Sequence, residues 1–224
     1  AIVGGREAPE VRKGWNRAYQ SATEVGSSIK PLSVYGPALD LGLSPASAVV
    51  NIPDPIVGWD TETGYPAIGS EKYEGIITLR RGVVSSLNVA AARTLLEDVS
   101  LQTGADYLAK LGVDPSRIKT TGSGLALGAM GITPIEMAGA YAAIANEGKY
   151  IKPVSFSRVV DQNGKVILDS SKLRTEQQVF KPTTAYILVD ILHEAVESGT
   201  GTAAKIKGMT VAGKTGTNSD YGSA

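Results

Sequence analysis

The sequence has no cysteine and a single histidine, His193. Without thiols there are no disulfides, no thiolate zinc sites and no cysteine nucleophile. A histidine-rich metal centre is excluded too, and a Ser-His-Asp triad would have to use His193. That residue falls inside an amphipathic helical pattern beside Leu192, which reads as a structural position. Surplus charge of either sign is also missing. Lys plus Arg and Asp plus Glu are 22 each in 224 residues, whereas a nucleic-acid binder shows a basic surplus or stripe. Long apolar runs are absent as well. The longest candidate, Leu125 to Ile132, is eight residues with two glycines, far short of the roughly 20 that span a bilayer. No basic-then-apolar leader follows Ala1, and both this start and the ending SDYGSA read as cuts from a longer chain. What remains is globular: 42% hydrophobic and 20% charged residues suffice for a sizeable core.

The apolar spacing from Ser27 to Asp40 predicts a helix with Pro31 in its first turn and a kink or end at Pro37. Residues 44–82, with Pro45, Pro53, Pro55 and Pro66, read as a long surface excursion with one or two short strands. Helical patterns return over 86–99 and 104–111. Thr133, Pro134 and Glu136 predict a capping box. Ile135, Ala138, Ala142 and Ala145 form the expected packing face of that helix, and Gly148 its close. Residues 154–169 read as a hairpin turning at Asn163-Gly164. A helix is expected over 182–196 and a strand over Met209 to Ala212. Trp15 and Trp59 read as core or loop packing, Tyr65 and Tyr73 as rim candidates. The mixture predicts a mixed α/β (α+β) fold with an antiparallel sheet.

Three short motifs carry chemistry. Ser27-Ser28-Ile29-Lys30 is S-x-x-K, and residues three apart share a helix face. A serine hydroxyl needs a base, and a lysine held neutral can be one. At a helix start, free N–H groups also favour an oxyanion. The alternative is a plain helix cap at Ser27 with Lys30 in solvent. A second S-x-x-K, Ser116 to Lys119, follows Asp114-Pro115 and reads as loop or helix end. Ser86-Leu87-Asn88 could present a proton relay and an amide to one cleft from a turn. Otherwise Ser85 or Ser86 caps a helix and Asn88 is exposed. Lys214-Thr215-Gly216-Thr217 alternates on a strand and could hold a carboxylate, with Gly216 permitting close approach. Gly208 to Thr215 also matches the phosphate-loop pattern, but AAKIK before it is no buried strand and no helical pattern follows.

S-x-x-K, then S-x-N, then K-T-G is the order found in serine acyl-transferases that react with penicillin. With LRRGVVSSLNVAAARTL, LALGAMGITPIEMAGAYAAIANEGKYIKP, ESGTGTAA and VAGKTGT, the sequence resembles the transpeptidase domain of penicillin-binding proteins, most nearly the bifunctional class A type. The resemblance implies a β-lactamase/transpeptidase-like fold: an antiparallel sheet packed with helices plus a mostly helical subdomain. Residues 1–224 would form part of that domain, the remainder coming from the same protein or a companion chain. It implies Ser27 as nucleophile, Lys30 as base and Ser86 as proton relay. Asn88 would bind the substrate amide, and Lys214, Thr215, Gly216 and Thr217 the carboxylate side. Backbone N–H groups of Ser27 and Thr217 would form the oxyanion hole. Substrates would be peptidoglycan stem peptides, with β-lactams as covalent inhibitors, no cofactor or metal, and an extracytoplasmic location with any anchor outside this segment. A serine β-lactamase or a non-catalytic β-lactam sensor on the same fold remains an alternative. Leu87 stands where class A lactamases carry Asp, and no E-x-x-L-N stretch is found.

Overall fold

The computed structural model describes residues 14–59, 61–66, 72–172 and 174–217. A short helix α1 (Arg17–Gln20) and strand β1 (Thr23–Glu24) lead into the central helical run. That run changes pitch twice: a 3-10 turn at Gly26–Ile29, a π-helical stretch at Pro31–Tyr35, then α2 (Gly36–Asp40). The single kinked helix expected over 27–40 is thus three joined pieces, and the change falls at Gly36, one residue before Pro37. Two prolines explain this. Lys30 N–H closes onto the Ser27 carbonyl, and Pro31 has no N–H to continue that ladder. The wider turn lets Gly36 N–H reach the Pro31 carbonyl, and Pro37 then sits in the first turn of α2, where no donor is needed. Ser28 to Leu39 is buried throughout, so the run is the rod around which the core packs.

Strands β2 (Ala48–Asn51) and β3 (Gly75–Thr78) pair antiparallel, Val49 opposite Ile77. Helix α3 (Leu79–Val84) begins inside the interval 44–82 and is capped by Thr78. After a sharp turn come α4 (Asn88–Arg93), a π-helical continuation at Thr94–Val99, α5 (Leu101–Lys110) and α6 (Gly122–Leu127). Leu79, Val83, Ala90, Leu95, Leu108 and Leu125 from these helices join Ile29, Leu32 and Tyr35 in one core.

Strand β4 (Gly131–Ile132) pairs with β1. Helix α7 (Pro134–Ala145) starts with the expected capping box between Thr133 and Glu136. Its buried face is Gly139, Ala140, Ala143 and Ile144, not Ile135, Ala138, Ala142 and Ala145. A helix so rich in alanine has little polar contrast, so periodicity cannot choose its inner face. Gly148 N–H returns to the Ala143 carbonyl, which closes the helix as expected. Strand β5 (Lys149–Ile151) and the hairpin β6 (Arg158–Val160) with β7 (Val166–Asp169) follow. The hairpin turn is ordered by Asp161 Oδ1, which accepts from the N–H groups of Asn163 and Lys165. Strand β8 (Glu176–Gln178) pairs with β5, and α8 (Pro182–Glu197) is followed by a 3-10 turn at Thr202–Ala204. Among the described residues the sheet content is four antiparallel two-stranded pairs.

Asp40 joins the end of α2 to the start of α8. Its carboxylate accepts from Lys181 N–H at 2.9 Å, Thr184 Oγ1 at 2.7 Å and Tyr107 OH at 2.8 Å. The N-terminus of α8 is thereby locked to the same rod that begins at Gly26.

Candidate active site

Ser27 occupies the second position of the 3-10 turn and is half-buried. The turn has no side-chain cap, its N-cap being Val25, so Ser27 does not spend its hydroxyl as a helix cap. Lys30, one turn later, is 0% exposed. The alternative of a solvated lysine is therefore wrong. An ammonium or amine so deeply placed requires partners, and two come from across the chain. Lys30 Nζ donates to the Ser86 carbonyl at 2.7 Å and to Asn88 Oδ1 at 2.6 Å.

The 85–87 turn makes this possible. Ser86 has φ +57°, a left-handed conformation that few non-glycine residues adopt. Its N–H is held by the Val83 carbonyl and that of Leu87 by Gly82. Leu87 is buried and is the N-cap of α4, without a side-chain hydrogen bond. Neither Ser85 nor Ser86 is that cap, and Asn88 is half-buried rather than exposed. Because of the reversal, Ser86 offers its carbonyl to Lys30 and its hydroxyl to Lys214.

That hydroxyl accepts from Lys214 Nζ at 2.7 Å. Lys214 also donates to the Thr215 carbonyl at 3.0 Å. Burial drives the Lys214 pKa down from 10.5 to about 8, since a desolvated ammonium is disfavoured. Thr215 points outward, its hydroxyl 2.8 Å from that of Thr200. Gly216 lies against the Ser27 turn: a Cβ there would stand 2.4 Å from the Val25 carbonyl oxygen and 3.1 Å from Ser28 Oγ. Gly26, at φ +56°, packs directly on Thr217, whose carbonyl oxygen would be 2.1 Å from an added Cβ. Gly216 is buried and Thr215 exposed, but the strand expected to carry Lys214 to Thr217 is absent: residues 211–216 are irregular and Thr217 makes a lone bridge.

The strand expected over Met209 to Ala212 is absent. Those residues are irregular, and Met209 is 65% exposed. Extended chain becomes a strand only beside another edge. Here the segment is tied instead to α8: His193 Nδ1 lies 2.9 Å from the Val211 carbonyl and Gly213 N–H donates to the Leu192 carbonyl. His193 thus has a structural place, as expected. The phosphate-loop reading fails on the same segment, which follows irregular chain and sends Lys214 to Ser86. The second S-x-x-K is a short exposed 3-10 turn with Ser116 and Lys119 in solvent. Trp59 is buried and Trp15 exposed, and Tyr65 meets Tyr73 edge-on at 6.4 Å.

The structure therefore gathers Lys30, Ser86, Asn88 and Lys214 in one chain of hydrogen bonds, with the Ser27 turn, Gly216 and Thr217 packed beside it. Two contributors escaped sequence reasoning. Thr200 meets Thr215, and Tyr141 OH donates to the Ser28 carbonyl at 2.7 Å. Neither has a spacing signal, because both contacts cross between separate elements.

A mixed helix-and-sheet domain with these three motifs in this order has the β-lactamase/transpeptidase fold. The chain belongs to the penicillin-binding protein family: the model for the penicillin-binding protein transpeptidase domain matches residues 2–224. Penicillin-binding protein 1A of Clostridium acetobutylicum is 38% identical, over 98% of this chain and 28% of that protein. The protein of the same name from Clostridium perfringens is 36% identical, over 97% of this chain and 33% of its own length. The crystal structure of penicillin-binding protein 1A from Haemophilus influenzae superposes with a TM-score of 0.77 at 29% identity, covering 92% of this chain and 36% of that one. PonA1 from Mycobacterium tuberculosis shares the fold, with a TM-score of 0.76 at 24% identity over 94% of this chain and 56% of that one. The chain spans about a third of the length of the curated relatives named here.

Proposed function

We propose that this domain is a serine D,D-transpeptidase that cross-links peptidoglycan stem peptides and is acylated by β-lactams. The observation that carries the reading is the position of Ser86 between two lysines, its carbonyl on Lys30 and its hydroxyl on Lys214. Ser27 Oγ attacks the carbonyl carbon between two D-alanines and its proton passes to Lys30. The tetrahedral oxyanion faces the N–H groups of Ser27 and Thr217. As the C–N bond breaks, the proton returns through Ser86 Oγ to the departing amine. A second stem's amine then attacks the ester, and the Ser27 hydroxyl is restored. Splitting one hard acyl transfer into two steps lowers each barrier, and two aligned N–H donors supply several kcal/mol (about 3 for one).

Lys214, Thr215 and Thr217 hold the substrate's terminal carboxylate or that of a β-lactam, and Asn88 bonds the substrate amide. Leu87 brings no carboxylate to the turn, which favours a long-lived acyl-enzyme over rapid hydrolysis. The substrate lies outside the cytoplasmic membrane, so the domain works there. Among the described residues no helix is long and apolar enough to cross a membrane, and an anchor would lie elsewhere in the protein.

The test is a fluorescent penicillin followed by intact-mass measurement of the full-length protein. A persistent adduct on Ser27, lost in Ser27→Ala, is expected, together with D-alanine release from a stem-peptide mimic. Labelling that survives Ser27→Ala would refute the assignment, and rapid turnover of the penicillin would indicate a hydrolase.

A further inference from the structure

Proline stands where the hydrogen-bond ladder of the Ser27 turn would continue, and another helix supplies a donor there. Within Gly26–Ile29 the ladder is of the i to i+3 kind, and its next bond runs from Lys30 N–H to the Ser27 carbonyl. The bond after that would run from residue 31 to the Ser28 carbonyl. Residue 31 is proline and has no N–H. Ser28 is buried, and its carbonyl cannot be satisfied by the residue-31 rung. The phenol of Tyr141, on α7, donates to that carbonyl at 2.7 Å. The Ser28 side chain is pinned as well, Oγ donating to the Val25 carbonyl at 2.6 Å. Burial raises the Tyr141 pKa, so the phenol keeps its proton for this bond.

We infer that Tyr141 is a positioning residue, fixing the peptide plane between Ser27 and Lys30 so that nucleophile and base keep their relative orientation. The inference rests on the transpeptidase reading. It places the effect of Tyr141 in the chemical step rather than in ligand binding, because the phenol meets the turn from behind through a main-chain atom. Lys30 is held at its tip by Ser86 and Asn88, while Ser27 depends on the backbone of the turn for its direction. A small rotation there misplaces the attacking oxygen without altering the carboxylate side of the site.

The experiment measures acylation of the full-length protein by a penicillin under pre-steady-state conditions, separating the acylation rate constant from the dissociation constant of the non-covalent complex. Tyr141→Phe removes only the hydroxyl. It should slow acylation roughly tenfold with an unchanged dissociation constant. Tyr107→Phe removes another half-buried phenol, one bound to Asp40, and should leave the acylation rate as it is. Pro31→Ala restores an N–H at the missing rung. Combined with Tyr141→Phe it should recover most of the lost rate. Wild-type acylation in Tyr141→Phe, an equal loss in Tyr107→Phe, or no recovery in the double variant would each overturn the inference. A Tyr141→Phe protein that fails to fold while the double variant folds supports it, and failure of both counts against it. If the wild-type protein forms no adduct at all, the transpeptidase reading falls instead.

Discussion

Lys30 and Ser86 meet through a backbone atom: the lysine Nζ donates to the serine carbonyl oxygen at 2.7 Å. The main chain of the second motif is therefore a fixed wall for the lysine of the first. The serine hydroxyl is left for Lys214, and one residue contacts both lysines by different atoms.

Removing the lysine should expose what it satisfies. Lys30→Ala leaves the Ser86 carbonyl and Asn88 Oδ1 without their buried donor, at a cost of about 2 kcal/mol. Urea unfolding should show that loss, and penicillin labelling should vanish. Unchanged stability would mean that the bonds are worth nothing in solution.

The left-handed Ser86 separates geometry from chemistry. Ser86→Gly adopts φ +57° freely, so its thermal midpoint should be no lower than that of Ser86→Ala. Both variants lose the hydroxyl, and both should acylate on the order of 100-fold more slowly. A Ser86→Gly variant that labels at the wild-type rate would remove the hydroxyl from the proton path.

Lys214 sets a pH dependence with a definite sign. Its pKa in the folded protein is about 8 against 10.5 ordinarily, so between these values the unfolded chain binds more protons. Stability should therefore rise with pH across that window, and the gain is lost as pH falls through about 8. Lys214→Met should flatten the slope in a series of urea titrations. Affinity for a carboxylate-bearing β-lactam should move oppositely, weakening above about pH 8 as the ammonium is lost. An affinity flat from pH 7 to pH 10 would contradict this, both limits being about two units or less from that pKa.

Gly26 and Gly216 allow the 214–217 segment to touch the Ser27 turn. A methyl at Gly26 would lie 2.1 Å from the Thr217 carbonyl oxygen, and one at Gly216 2.4 Å from that of Val25. Both neighbours are backbone and cannot swing away, so either Ala variant should lose about 2 kcal/mol or more. Labelling should fall with it. Wild-type labelling by Gly216→Ala would show that this contact can open without consequence.

Asp40→Asn tests the joint between α2 and α8. The carboxylate accepts from Lys181 N–H, the Thr184 hydroxyl and the Tyr107 phenol. Charge-assisted bonds are the stronger kind, so the amide should cost about 1 to 3 kcal/mol in unfolding free energy. Acylation at 25 °C should change little, because the joint is at the far end of the rod from Ser27.

Local chemistry was open to reading in one dimension. Thr133 with Glu136 three residues on, the Asn163-Gly164 turn, the α8 pattern and the order of the three motifs are short-range signals. Each follows from hydrogen-bond geometry within a few residues or from the spacing of side chains on one element. The pitch changes around Pro31 and Pro37, the inner face of α7, and the fate of Met209 to Ala212 depended on neighbours far along the chain. So did the φ of Ser86, the burial of Lys30, the depressed pKa of Lys214, and the contacts of Tyr141 and Thr200. A sequence fixes which atoms can donate or accept, but only packing decides which of them are denied water and must find each other.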